Sequence, residues 1–567
     1  MCGIFGHTGA AHLPSSRKAL RCLKHRGPDQ SNDWTDDSVY MGHQRLSIMD
    51  LSENGKQPMH YENIIITVNG EIYNYRDLKH SLEKRFAFKS GSDSEVLLYG
   101  YKAWGIDKLV EKLEGMYAFS LYDAGEQKLY IVRDRVGIKP VYYAHIDKQL
   151  VWASELKAIE VFVPSAKLHI DNTAVYDFLT YRYIPTPKTL YKDTCKLEPA
   201  HYLCYDIQND TIEKKRYWSL GTATRDTNLI TASRKVRQLV SEAVEQQLMS
   251  DVPVGFFLSG GMDSSVVVAA AKDYSSQLNT YSIGFDIKEH DETHFADIVA
   301  KAFGTNHVRQ VLEVGEVKQS FAKLRTWYDE PFADTSAFPV YKVSGLARDS
   351  STVVLTGDGG DEVFGGYNWY QQFVDGVAEY VDGHTGGILK RLQRKKRNKI
   401  DLELDFYTVL MGGLSLEQKE SYRLALDIKK DYDDYWYYKQ YYDASLPVMT
   451  RLQYLDFHTY LPDDILTKVD RVSMAVALEC RVPLLSTKLI EYMFSVPEDI
   501  RYHGGELKGL MKYAYRDILP SEIINRSKKG FSIPTGKWKG DLLGKKITVP
   551  EYILEELYPE ISIRKGS

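Results

Sequence analysis

A chain of 567 residues exceeds what one hydrophobic core organises, so at least two domains are expected. Apolar residues make up 43% and charged residues 26%, the balance of a globular chain, and a net charge of −5 excludes nucleic-acid or membrane-surface binding by bulk electrostatics. There is no apolar run of about 18 residues and no basic start with an apolar core behind it, so neither a membrane span nor a signal peptide is expected, and the cytoplasm is the expected compartment.

Five cysteines (Cys2, Cys22, Cys195, Cys204, Cys480) give neither a disulfide framework nor a zinc spacing. The chain opens Met1-Cys2-Gly3-Ile4-Phe5-Gly6. Removal of Met1 leaves Cys2 with a thiol and a free α-amine, whose reference pKa values lie near ~8.5 and ~7.7–8.0. Nucleophile and base then share one residue, although a start methionine before a small residue is by itself ordinary. Polar clusters follow at His25-Arg26-Gly27-Pro28-Asp29 and at Gly42-His43-Gln44-Arg45-Leu46-Ser47-Ile48. A strand at 64–68 ends in Asn69-Gly70-Glu71-Ile72-Tyr73-Asn74, where Asn-Gly also reads as a hairpin turn. Gly91-Ser92-Asp93-Ser94-Glu95 comes next. Strands are expected at 117–122, 128–132, 141–145 and 151–153, with Arg133 to Pro140 between two of them, and the polar residues 221–228 read as a linker.

A helical pattern at 232–248 leads into Val254-Gly255-Phe256-Phe257-Leu258-Ser259-Gly260-Gly261-Met262-Asp263-Ser264-Ser265. Here an apolar strand breaks at two glycines and restarts as a helix, whose unpaired N–H groups and positive dipole end suit phosphate. The lysine of the common P-loop is missing and Asp263 stands in the turn, which implies Mg²⁺ between carboxylate and phosphates. Strands at 280–285 and 352–355 alternate with a helix at 295–303, the signature of a parallel α/β sheet with ligands at the carboxyl ends of its strands. The strand at 352 ends in Thr356-Gly357-Asp358-Gly359-Gly360-Asp361-Glu362, which fails G-x-G-x-x-G. As a second aspartate-bearing glycine turn it would face the first across a nucleotide. Basic Lys390 to Lys399 reads as a solvated helix face, and the tyrosines from Tyr432 to Tyr442 as core or subunit contact.

In this order the motifs of residues 2–218 resemble the class II glutamine amidotransferases, those of 230–567 resemble the ATP pyrophosphatases, and the whole is similar to the glutamine-hydrolysing asparagine synthetases. The resemblance implies a two-domain α/β protein: an αββα sandwich of the N-terminal nucleophile hydrolase type, then a parallel sheet like that of the adenine-nucleotide α-hydrolases. It implies Cys2 as nucleophile, the Asn69 side chain and Gly70 N–H as oxyanion donors, Arg45 for the glutamine carboxylate, and Asp93 with Glu71 for its amine. In the second half it implies ATP held by Leu258, Ser259, Gly260, Gly261, Asp263, Ser264, Ser265, Ile283, Thr356 and Gly357. It further implies Mg²⁺ on Asp263 and Asp361, and Lys528 of Arg526-Ser527-Lys528-Lys529-Gly530-Phe531 near the transferring phosphates. Leu461 to Pro483 is a family stretch that equally reads as helix packing. The implied partners are glutamine, ATP and aspartate or another carboxylic acid, without nucleic acid or membrane, and a homodimer is compatible. Asp358 stands where the best-known bacterial asparagine synthetases carry a glutamate, and Asp329 to Ala337 lacks the threonine-and-arginine run associated there with aspartate binding. Amidation of another acid, such as a sugar uronate, is therefore the alternative expectation. A glutaminase-like binding protein with an inert second half is a third, which intact Asp263, Asp361 and Lys528 disfavour.

Overall fold

The computed structural model describes residues 1–10, 12–287, 290–382, 398–526, 533 and 548–561. Lys528 and most of the basic Lys390–Lys399 segment lie outside the described residues.

The N-terminal half stacks two six-stranded sheets. One is built around β1 (Gly3–Thr8), buried along its whole length, and β2 (Val39–Arg45), paired antiparallel with Gly3 opposite Gln44. The other contains β3 (Ile64–Ile72) paired antiparallel with β4 (Gly115–Asp123). Inward-facing Ile4, Met41, Ile65, Ala118, Tyr122 and Trp152 meet between the sheets. The outer faces are covered by α1 (Leu13–Arg21), α2 (Glu95–Lys112) and α3 (Leu156–Phe162), which completes four layers, αββα.

The hairpin turn that Asn69-Gly70 taken alone could have marked does not form. The β-branched run that starts β3 carries on through both residues, with Asn69 opposite Ala118 and Gly70 opposite Tyr117. Pairing with β4 holds the chain extended there, so no turn forms. Glycine is required at 70 because φ is 148° and a Cβ would lie 2.0 Å from the Met116 carbonyl oxygen.

The half does not end in its own core. Helix α4 (Asn172–Tyr181) buries Val175, Tyr176, Phe178 and Leu179 in one apolar cluster with Tyr407, Tyr435, Tyr437, Tyr438 and Leu452. That cluster absorbs most of the tyrosine-rich segment as core.

In the second half, α5 (Leu229–Gln247) leads to β5 (Val254–Phe257), and a five-stranded parallel sheet follows. It adds β6 (Asn279–Phe285), β7 (Asn306–Leu312), β8 (Val353–Leu355) and β9 (Glu479–Arg481), in spatial order β7-β6-β5-β8-β9. Helix α6 (Met262–Ala271) is apolar on nearly every side after its first turn and is accordingly buried all round. Helix α7 (Ala337–Arg348) precedes β8, α8 (Thr467–Met474) precedes β9, and α9 (Gly509–Tyr515) follows. Because the strands are parallel, the loops after β5 and β8 emerge at the same end of the sheet.

Candidate active sites

The first site gathers around Cys2. Its backbone N–H donates to Asn69 Oδ1 at 3.0 Å, its Sγ lies 3.9 Å from the Leu46 carbonyl, and its own carbonyl accepts from Arg26 Nε at 3.0 Å. With one side of the Asn69 amide held in this way, its buried Nδ2 has no acceptor among the described residues. A buried donor without a partner is costly unless a ligand supplies the acceptor, as an oxyanion would. Burial pushes the Cys2 thiol up, against the opposing pull of the positively charged N-terminus. Met1 is buried, its ammonium 2.8 Å from Glu479.

Arg45 is wrapped by acceptors: Nη1 donates to Gln30 Oε1 at 3.0 Å and the Ser52 carbonyl at 3.2 Å, and Nη2 to the Met49 carbonyl at 3.2 Å and to that of Asp50. Asp93 accepts the Ile72 N–H at 2.6 Å, yet burial pushes its carboxyl up to about 6. Burial and the nearby Asp93 charge push Glu71 well above the carboxylate range, while Arg481 Nη2 stands 3.6 Å away.

The second site is a cavity of about 780 Å³ at the carboxyl ends of the parallel strands. Leu258, Ser259, Gly261, Asp263, Ser264, Ile283, Thr356, Gly357 and Asp361 line it. Gly260 and Ser265 stand behind its wall. Gly260, at φ 68°, packs so tightly on Phe295 and Ala296 that a Cβ would come within 2.4 Å of the Ala296 nitrogen. The Ser265 hydroxyl turns back to the Gly261 carbonyl at 2.7 Å. The two glycine turns interlock, since a Cβ on Gly360 would meet Asp263 Oδ1 at 2.5 Å and one on Gly357 the Ser264 nitrogen at 2.6 Å.

Sequence reasoning missed Lys508. Its ammonium lies 2.5 Å from Asp263 and 2.6 Å from Asp361, and although burial works against the charge, the two carboxylates hold its pKa above the usual lysine range. Its only sequence signal is a glycine on either side of the segment, Gly505 and Gly509. Two carboxylates close enough to share one cation fit Mg²⁺, which binds through one or two carboxylates together with substrate phosphates. In the same wall, burial and the Asp361 charge push Glu362 up to about 8, and it accepts a 2.5 Å hydrogen bond from the Tyr367 hydroxyl.

Of residues 329–337, only Asp334, Thr335 and Ser336 line the cavity. Asp329 pairs with Arg471 and, at 3.1 Å, with Lys157, and Glu330 pairs with Lys196, so both are anchors between the halves. Asp334 meets Lys468 of α8 at 3.1 Å; burial opposes its ionisation, but Lys468 and Arg182 outweigh this and hold the carboxyl below its ordinary value.

The two sites share structural parts. The Thr356 N–H donates to the Arg481 carbonyl at 2.9 Å, while the guanidinium of the same β9 residue reaches Glu71 beside Cys2. Arg26, on the Cys2 carbonyl, forms a buried pair with Asp470 of α8, which also carries Lys468. Lys139, from the Arg133 to Pro140 landmark, approaches Asp470 at 3.6 Å. The stretch from Leu461 to Pro483 therefore packs helices and also supplies charged groups to both sites.

A four-layer αββα half joined to a parallel sheet with an aspartate-bearing glycine cradle defines a two-domain α/β protein with a candidate site in each half. An asparagine synthase model matches residues 235–546 and a glutamine amidotransferase domain model residues 1–218. The chain is 33% identical to glutamine-hydrolysing asparagine synthetase 1 of Bacillus subtilis (strain 168), across 95% of this chain and 88% of that one. Asparagine synthetase 3 of the same organism is 30% identical across 94% and 87%, and the amidase chry2 of Gibberella zeae 28% identical across 97% and 91%. The chain belongs to the glutamine-hydrolysing asparagine synthetase family.

Proposed function

We propose that this protein is a glutamine-dependent asparagine synthetase. Its supporting observation is the Asp263–Lys508–Asp361 cluster at the foot of the cavity, tied through β9 to the Cys2 site. After removal of Met1, the Cys2 thiolate attacks the glutamine amide carbon. Asn69 Nδ2 and the Gly70 N–H stabilise the oxyanion, ammonia leaves, and water releases glutamate from the thioester. Arg45 binds the glutamine carboxylate, and Asp93 with Glu71 its ammonium group.

In the cavity, Ser259, Gly261, Ser264, Thr356 and Gly357 cradle ATP, with Leu258 and Ile283 against adenosine. Asp263 and Asp361 would hold Mg²⁺, which when bound neutralises phosphate charge. Lys508 stands ready to move from the two carboxylates to the phosphates, and Lys528 is proposed to meet the transferring group. The acid oxygen attacks the α-phosphorus, pyrophosphate leaves, ammonia attacks the acyl carbon and AMP leaves. Holding ammonia within the protein supplies an effective concentration that bulk water cannot.

A second reading, amidation of a sugar uronate, draws on the aromatic wall of Tyr367 and Trp369, stacked at 3.8 Å beside Tyr460, which suits a pyranose ring. Incubation with glutamine, MgATP and each acid, following AMP, pyrophosphate and amide, separates the readings. Aspartate-dependent AMP supports the first; AMP only with a uronate replaces it with the second; AMP with neither acid removes both.

A further inference from the structure

Arg182 belongs to the N-terminal half, directly after α4, yet it lines the nucleotide cavity. Its backbone is left-handed, φ 71° and ψ 0°, at a helix end where glycine is the unstrained choice. The side chain is fixed from both sides: Nη1 donates to the Met411 carbonyl at 2.9 Å and Nη2 to the Ala333 carbonyl at 2.8 Å. The Ala333 N–H donates back to the Arg182 carbonyl at 2.9 Å, which locks the residue to the segment that carries Asp334 and Ser336. A guanidinium has five N–H donors. Two are used on carbonyls, and no acceptor for the others is found among the described residues.

Lys468 stands at the same end of the cavity, with one of its three donors on Asp334. Burial, reinforced by the Asp334 charge, drives the neighbouring Asp464 towards its neutral form, and Lys468 also feels Asp358 of the cavity wall, so Arg182 is the cation at this end with donors to spare. The phosphates have their own place between the glycine turns at Asp263, Asp361 and Lys508. The cationic end by residues 333–336 is thus free to recognise a different anion. A planar guanidinium with spare donors matches a carboxylate in the bidentate manner.

We propose that Arg182, with Lys468, binds the non-reacting carboxylate of the acid substrate, so that the N-terminal half sets specificity in the synthetase site. The substrate class is a dicarboxylate. The inference rests on the amide-forming reading above and narrows its acid.

The test is acid-dependent ATP–pyrophosphate exchange by the full chain with three probes. Aspartate carries both carboxylates and an amine, succinate both carboxylates alone, and 3-aminopropionate the reacting carboxylate and an amine. Aspartate and succinate are expected to support exchange, with 3-aminopropionate at least tenfold poorer in kcat/KM. Arg182→Gly suits the left-handed backbone and so removes the side chain alone. It is expected to raise KM for aspartate at least tenfold, to leave KM for ATP within twofold, and to erase the preference over 3-aminopropionate, with Arg182→Lys intermediate. Unchanged KM for aspartate in Arg182→Gly, equal rises for aspartate and ATP, or equal use of 3-aminopropionate by the unaltered protein would each overturn the proposal. Exchange with no acid at all in the unaltered protein removes the amide-forming reading and this proposal with it, whereas exchange there with an indifferent variant removes only the proposal.

Discussion

Arg26 and Asp470, 444 residues apart, form a two-pronged pair, Nη1 to Oδ2 at 2.8 Å and Nη2 to Oδ1 at 3.1 Å, with both side chains buried. The guanidinium also touches Glu155 at 2.8 Å and the Cys2 carbonyl at 3.0 Å. Replacing one partner of a buried pair leaves the other charge uncompensated and costs ~3–5 kcal/mol. Because Glu155 remains, Asp470→Asn is expected near the lower bound, about 3 kcal/mol, read from the shift in denaturant midpoint. Glutamine-dependent kcat/KM is expected to fall at least tenfold further than ammonia-dependent kcat/KM, since Arg26 also steadies the nucleophile. Equal losses with both nitrogen sources would remove Arg26 from any role at Cys2.

Cys2→Ala deletes the nucleophile and leaves the parallel sheet untouched. Glutamine-supported amide formation is expected to vanish while ammonium salts still support it, measured as AMP and amide released at saturating ammonia. Parallel loss with both donors would contradict the division of chemistry between the halves.

Lys508→Met removes the cation that Asp263 and Asp361 share. The expected outcome is at least a hundredfold fall in AMP formation, about 2.7 kcal/mol in the transition state, with glutaminase turnover still measurable. AMP formation at the normal rate would show that the ammonium merely fills space.

Asp93 gives glutamine hydrolysis an acid limb. Its carboxyl, at about 6, is anionic only above that pH, and an anion is what the substrate's ammonium needs. The kcat/KM for glutamine is expected to fall as pH drops through about 6, and Asp93→Asn to lower kcat/KM and flatten that limb. For stability the sign is opposite. A carboxyl raised above its unfolded value favours the fold at acid pH, fully so below about 4, and that contribution is lost as pH rises through about 6. A pH profile of glutaminase activity beside one of unfolding midpoint separates the two effects.

Much of this was legible in the chain because short-range chemistry announces itself. Asp263 follows two glycines between an apolar strand and an apolar helix, and Asp361 repeats the device, so their meeting across a cavity follows from strand order alone. Asn69 and Gly70 were legible as residues but not as conformation, because Asn-Gly favours a turn locally and only pairing with Ala118 and Tyr117 holds it extended. Lys508 and Arg182 were not legible. Lys508 is 245 positions from Asp263, and its importance comes from a long-range meeting that no local pattern encodes. Arg182 sits in a left-handed residue where sequence favours glycine, and its reason for being there is a cavity built by the other half. Asp329 and Glu330 misled in the other direction: the segment looked like substrate chemistry, yet its first acids are spent on Lys157, Arg471 and Lys196.

Helix α4 has a consequence for how this protein can be divided. It lies upstream of the connector at 221–228, but its apolar face belongs to the core beneath Tyr407 and Tyr438. A cut at the connector would strip a wall from the downstream piece and expose tyrosine and leucine side chains to water. The seam in the sequence and the seam in the solid therefore lie in different places, and a clean separation of the two activities is a matter for point substitutions rather than for scissors.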